Sequence, residues 1–133
     1  MKKIVVFTDL HMVPQGCTIA GLDPYLRFKN GIDHVNKHHA DAACVVVTGD
    51  LTDSADQASY VRLRRMLSSL IPPWHLLLGN HDDRSAFQSV FADAPRDSCG
   101  FAQQSIELGT TRLLLLDTLP TLRDGSWDGE SGM

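Results

Sequence analysis

Three short apolar runs constrain this chain more than any other feature: KIVVF (3–7), ACVVV (43–47) and WHLLL (74–78). Each is strand-length, and none alternates strictly between apolar and polar residues, which reads as a strand buried on both faces. Between the first and second, Tyr25, Phe28, Ile32 and Val35 recur at helical spacing within residues 22–39. Between the second and third, Tyr60, Leu63, Leu67 and Leu70 do the same. Ser54 and Gln57 form a capping box ahead of that helix, and Pro72-Pro73 stops it. The order β-α-β-α-β requires right-handed crossovers and a parallel sheet. Residues 83–92 read as a short third helix. Residues 101–108 and 111–117 read as two strands joined at Gly109-Thr110, a hairpin. The polar stretch 118–133 lacks core periodicity and reads as loop. The expectation is one α/β domain over residues 1–133, βαβαβ followed by a hairpin.

Composition narrows the function classes. The 133 residues are 43% apolar and 21% charged, with a net charge of −4 when His is neutral. This balance, without any Lys/Arg-rich run, argues against nucleic acid as a partner. No apolar run is long enough to cross a membrane. The opening MKKIVVFTDLH has neither the apolar length nor the small-residue cleavage site of a signal peptide, so the expected compartment is the cytoplasm. Cys17, Cys44 and Cys99 are odd in number and far apart, which argues against a disulfide framework or a zinc ribbon. Cys44 reads as a small core residue.

Every parallel strand ends in a polar cluster. The first is followed by Asp9 and His11, the second by Gly49, Asp50 and Asp53, the third by Gly79, Asn80, His81 and Asp82. Ligand sites of open α/β sheets lie outside the carboxyl ends of the strands, so the three clusters should converge. Carboxylates, an amide and imidazoles without thiolate suit Mn, Fe, Zn or Co better than copper(I) or an iron–sulfur cluster. Without a cation, Asp9 and Asp50 would repel one another. Gly49 and Gly79 would let the backbone turn sharply and approach closely. Blander readings compete for single residues. An Asp after a strand is commonly a helix cap or turn residue. Asp53 reads as loop support through hydrogen bonds to backbone. His34, His38 and His39 read as solvated side chains near the end of the first helix, and His75 as a packed or edge residue.

Taken together, DLH (9–11), GDLTD (49–53) and GNHDD (79–83) resemble, in order and spacing, the first three motifs of the calcineurin-like metallophosphoesterases. GNHDDR (79–84) is similar to the branch that hydrolyses cyclic nucleotides and glycerophosphodiesters, and LLLLDT (113–118) to the strand after its hairpin. The resemblance implies a two-sheet αββα sandwich, of which this chain would form the first half. It implies two transition-metal ions, Mn, Fe or Zn. Asp9 and His11 would bind the first, Asp50 would bridge both, and Asn80 would bind the second. His81 would face the substrate as proton donor or phosphoryl stabiliser, and Asp82 would orient His81 or its loop. The implied reaction is phosphodiester hydrolysis, with a metal-bound hydroxide attacking phosphorus. Sparse Lys and Arg near the motifs, Arg84 being the nearest, agree with a singly charged small diester as substrate.

The family takes further ligands from a later His and a Gly-His-x-His motif, whereas no histidine follows His81. The expectation is an N-terminal portion of such an enzyme. A non-catalytic fragment that self-associates or binds a partner is the alternative. A metal-free nucleotide-binding βαβ unit is disfavoured, since no Gly-rich phosphate loop follows the first strand. Two helices on one side of the sheet would leave the other apolar face bare. Dimerisation, or association with the C-terminal half, is expected there.

Overall fold

The structure is a computed structural model and describes residues 1–120. Of the stretch expected to be loop, residues 118–120 have no regular structure and 121–133 lie outside the described residues. The elements run β1 (Ile4–Phe7), α1 (Pro24–His38), β2 (Cys44–Val47), α2 (Gln57–Leu67), β3 (Trp74–Leu76), α3 (Arg84–Val90), β4 (Gln104–Leu108) and β5 (Thr111–Leu115). β1, β2 and β3 form a parallel sheet in that order, with Ile4 opposite Cys44 and Val45 opposite Trp74. β4 and β5 pair antiparallel, and Leu108 opposite Thr111 leaves Gly109-Thr110 as a two-residue turn. This mixed α/β arrangement agrees with the first half of a metallophosphoesterase fold. No helix among the described residues is long and apolar enough to cross a membrane.

Local chemistry sets the helix starts. Asp23 caps α1 by accepting from the Tyr25 N–H at 2.9 Å, with Pro24 in the first turn. Asp56 caps α2 by accepting from the Ser59 N–H at 2.9 Å. The expected Ser54–Gln57 capping box is therefore not the cap. The Asp two residues after Ser54 takes the orphan N–H, and Gln57 becomes the first helical residue. Asp83 caps α3 through the Ala86 N–H.

β2 is buried on both faces and divides the core. Val45 and Val47 pack with Phe28, Ile32 and Val35 of α1 and with Leu63 and Leu67 of α2. Cys44 and Val46 face the other way, onto Leu115, with Ile106, Leu108 and Leu113 beside them. The hairpin thus covers the face expected to be bare. What stays open is narrower: Ile4 and Val6 on β1, and Leu114 and Leu116 at the hairpin, are exposed. His75 is half-buried, 3.1 Å from Gln104, and burial lowers its pKa while that hydrogen bond opposes the shift. His34, His38 and His39 cluster at the end of α1. Among the described residues the Nδ1 atom of His39 is buried without a hydrogen-bond partner, so this group is less fully solvated than expected.

Candidate metal centre at the strand ends

The loops after β1 and β2 run side by side as a continuation of the sheet. The N–H groups of Asp9, His11 and Met12 donate to the carbonyls of Gly49, Asp50 and Leu51, and the Asp53 N–H donates back to Met12. The zipped loops carry unusual backbone. Asp9, His11 and Asp50 all have positive φ, at 54°, 48° and 47°. Such conformations typically cost about 1–3 kcal/mol each and gather at functional sites.

Two glycines permit the approach of the third loop. Gly49 has φ +120°, and a Cβ there would meet the Gly79 nitrogen at 2.9 Å. A Cβ on Gly79 would overlap the Asp50 carboxylate and its backbone nitrogen. The loops after β2 and β3 therefore touch backbone to backbone, as the glycines before Asp50 and Asn80 led us to expect.

The convergence brings His11, Asp50 and His81 into one group, with a possible ligand atom of each within 4.8 Å of the others. Asp9 lies at its edge, its Oδ1 3.9 Å from His11 Nε2, while its other oxygen accepts from the Thr8 hydroxyl. Asp50 Oδ2 is 3.6 Å from His11 Nε2, and its Oδ1 accepts from the His81 N–H at 3.0 Å. One loop thus fixes the carboxylate of the other. Asn80 sits between Gly79 and His81, half-buried, and its amide makes no hydrogen bond among the described residues.

Asp53 holds both imidazoles. Its carboxylate lies 3.2 Å from His11 Nδ1, and its carbonyl 2.7 Å from His81 Nδ1. Both rings then point Nδ1 toward Asp53, which turns His11 Nε2 toward the Asp9 and Asp50 carboxylates. The rings meet edge to face, centroids 4.7 Å apart. Among the described residues the Asp53 carboxylate makes no hydrogen bond to backbone; its side chain serves the histidines. The hydrogen bond to the Asp53 carbonyl raises the His81 pKa. Burial opposes the shift, and the charges of Asp50, Asp53 and Asp82 add to it.

Asp82 is fully buried, and it binds the loops rather than His81. Its Oδ2 accepts from the N–H groups of Leu51 and Gly79, at 3.0 and 2.9 Å. Its Oδ1 accepts from the Thr52 N–H and the Tyr60 hydroxyl, at 3.1 and 2.9 Å. One carboxylate therefore sets the spacing of the loops that carry Asp50 and His81. Burial raises the Asp82 pKa, against the pull of these donors. Tyr60, which sequence periodicity assigned only to the apolar stripe of α2, supplies one of them. Burial and the Asp82 charge push its own pKa up. Arg84 is not a free cation for substrate. Its guanidinium holds Asp117 at 2.8 and 3.0 Å and the Leu119 carbonyl at 2.7 Å.

Residues 2–124 match the calcineurin-like phosphoesterase family. The chain belongs to that family. It is 41% identical over 117 residues to a probable cyclic nucleotide phosphodiesterase of Rhodopseudomonas palustris, covering 88% of this chain and 43% of the relative. It is 25% identical over 116 residues to the 3′,5′-cyclic adenosine monophosphate phosphodiesterase CpdA of Pseudomonas aeruginosa, covering 86% of this chain and 41% of that protein. A CpdA of Escherichia coli is 27% identical over 93 residues, covering 69% of this chain and 34% of the relative. The chain spans less than half the length of each of these relatives.

Proposed function

We propose that this chain carries the strand-end part of a binuclear metal centre, and that the protein hydrolyses a small phosphodiester of the cyclic nucleotide or glycerophosphodiester type. The observation that carries this reading is the convergence of His11, Asp50 and His81 on one space, with the Nδ1 atoms of both histidines held by Asp53. The donors fit a transition metal: hard carboxylate oxygens and an imidazole nitrogen, no thiolate, on strained backbone that fixes them in place. Asp9 and His11 would hold one ion, Asp50 both, and Asn80 the second. Bound there, the ions supply Lewis-acid stabilisation of phosphoryl oxygens and lower the pKa of a water.

The chain's own residues do the rest. Asp53 orients the two imidazoles. His81, its ring set by the Nδ1 hydrogen bond to the Asp53 carbonyl, would present Nε2 to the departing alkoxide as general acid. Asp82 and Tyr60 keep the loops at fixed separation. Hydrolysis of bis(p-nitrophenyl) phosphate and 3′,5′-cyclic AMP by the native-length protein, measured beside its metal content, tests the reading. Metal-loaded protein that hydrolyses neither would refute it.

The exposed Ile4 and Val6 of edge strand β1 favour a second element of the proposal, association of this chain with another copy or with further polypeptide. Sedimentation of the 133-residue chain as a stable monomer at high concentration would contradict it.

A further inference from the structure

A cleft of about 470 Å³ opens directly beside the centre, within the usual range of about 300–1,000 Å³ for ligand pockets. Asp9, His11 and Asp53 line it, as do Ile19, Leu22 and Phe28, and Arg27 is the only Lys or Arg among its lining residues. We infer that this cleft receives the heteroaromatic base of a cyclic nucleotide whose phosphate sits among Asp9, His11 and Asp50, with Leu22 and Ile19 as its apolar wall and Arg27 as its polar contact. The inference rests on the phosphodiesterase reading and selects between its two substrate types.

Three observations carry it. The cleft and the centre share Asp9, His11 and Asp53, so a phosphodiester seated at the centre places one substituent in the cleft. The wall is built rather than incidental. Ile19 and Leu22 exchange both backbone hydrogen bonds at 2.9 Å, across a turn in which Ala20 and Gly21 have φ of 49° and 75°. That is the backbone of a tight hairpin turn, and it holds Leu22 half in the open. Arg27 has no hydrogen-bonding or ionic side-chain partner among the described residues. A base offers apolar faces to Ile19 and Leu22 and ring-nitrogen acceptors at its edge to the guanidinium. Glycerol offers hydroxyls, which gain nothing from apolar walls and lose hydration against them.

The test compares 3′,5′-cyclic AMP with sn-glycero-3-phosphoethanolamine, a diester without an aromatic group, in the metal-loaded native-length protein and in Leu22→Asp and Arg27→Ala. Both positions are exposed, so folding should survive, and a thermal melt verifies it. One methylene more or less in an apolar specificity pocket is worth about 10–200-fold, and a carboxylate is a larger mismatch. Leu22→Asp should lower the ratio of kcat/KM for cyclic AMP over the small diester by at least about tenfold, chiefly through KM. Arg27→Ala should lower it in the same direction. An unchanged ratio in both folded variants would overturn the assignment. A protein that cleaves the small diester and not cyclic AMP would also overturn it while leaving the phosphodiesterase reading intact. A metal-loaded protein that cleaves neither overturns that reading, and this inference with it.

Discussion

Asp82→Ala is the sharpest structural perturbation available. In the folded protein it strips the acceptor from the N–H groups of Leu51, Thr52 and Gly79 and from the Tyr60 hydroxyl. The hydroxyl can turn toward another acceptor, but the three N–H groups are fixed by backbone. A buried donor left unsatisfied costs about 1–3 kcal/mol. Three of them total about 3–9 kcal/mol, and water entering the vacated space recovers part of that. We expect a loss near 3–5 kcal/mol, a large fraction of the roughly 5–15 kcal/mol of a typical domain. Asp82→Asn should cost less, about 1–3 kcal/mol. Its amide oxygen can still serve Leu51 and Gly79, and its NH₂ can face the Tyr60 hydroxyl and the Thr52 hydroxyl, which lies 3.3 Å from Asp82 Oδ1, so only the Thr52 N–H is opposed. Urea unfolding of the 133-residue chain measures both through the shift in midpoint at unchanged slope. A cost for Asp82→Ala below about 1 kcal/mol would refute the view that one carboxylate clamps the loops.

Two further outcomes follow from the geometry. His81→Ala in the native-length protein should retain its metal and lose about 10²–10⁴-fold in rate, less for substrates with good leaving groups; loss of metal on inductively coupled plasma analysis would make His81 a ligand instead. Burial pushes the Asp117 carboxyl up, but the hydrogen bonds from Arg84 and from the N–H groups of Ala102 and Leu119 outweigh it and leave the pKa below the ordinary value. Its stabilisation is therefore present above the unfolded carboxylate pKa of about 3.9 and is lost as pH falls through the lower folded value. The stability difference between wild type and Asp117→Asn should shrink in acid, and urea titrations showing a constant difference from neutral pH down to acid would contradict the pairing.

The convergence of the strand ends was legible because a parallel sheet leaves little choice. Once three buried strands alternate with two helices, their carboxyl ends share one edge, and the residues found there must meet. Gly49 and Gly79 were informative for the same reason, since close approach of two loops needs positions without Cβ. What stayed hidden depends on contacts distant in sequence. Asp56 outcompeting Ser54 is a local choice between two good caps that spacing cannot decide. Asp53 facing His11 and His81 follows from loop geometry, not from its motif. Tyr60 carried one signal, a hydroxyl in an otherwise apolar stripe, which demands a buried acceptor. The hairpin folding over Cys44 and Val46 was not foreseen, because alternation in β4 and β5 says which residues turn inward but not onto what. Arg84 lay beside the motif in sequence, yet its partner Asp117 is 33 positions away.

The central claim is that Asp50 joins two ions, and metal content per chain tests it most directly. Native-length wild-type protein and Asp50→Asn, loaded with Mn²⁺ and exhaustively dialysed, are compared by mass spectrometry of bound metal. The variant keeps a similar shape but removes the negative charge that both ions would share. The account predicts two ions per wild-type chain and one or none in the variant. Equal metal content in the two proteins would contradict it.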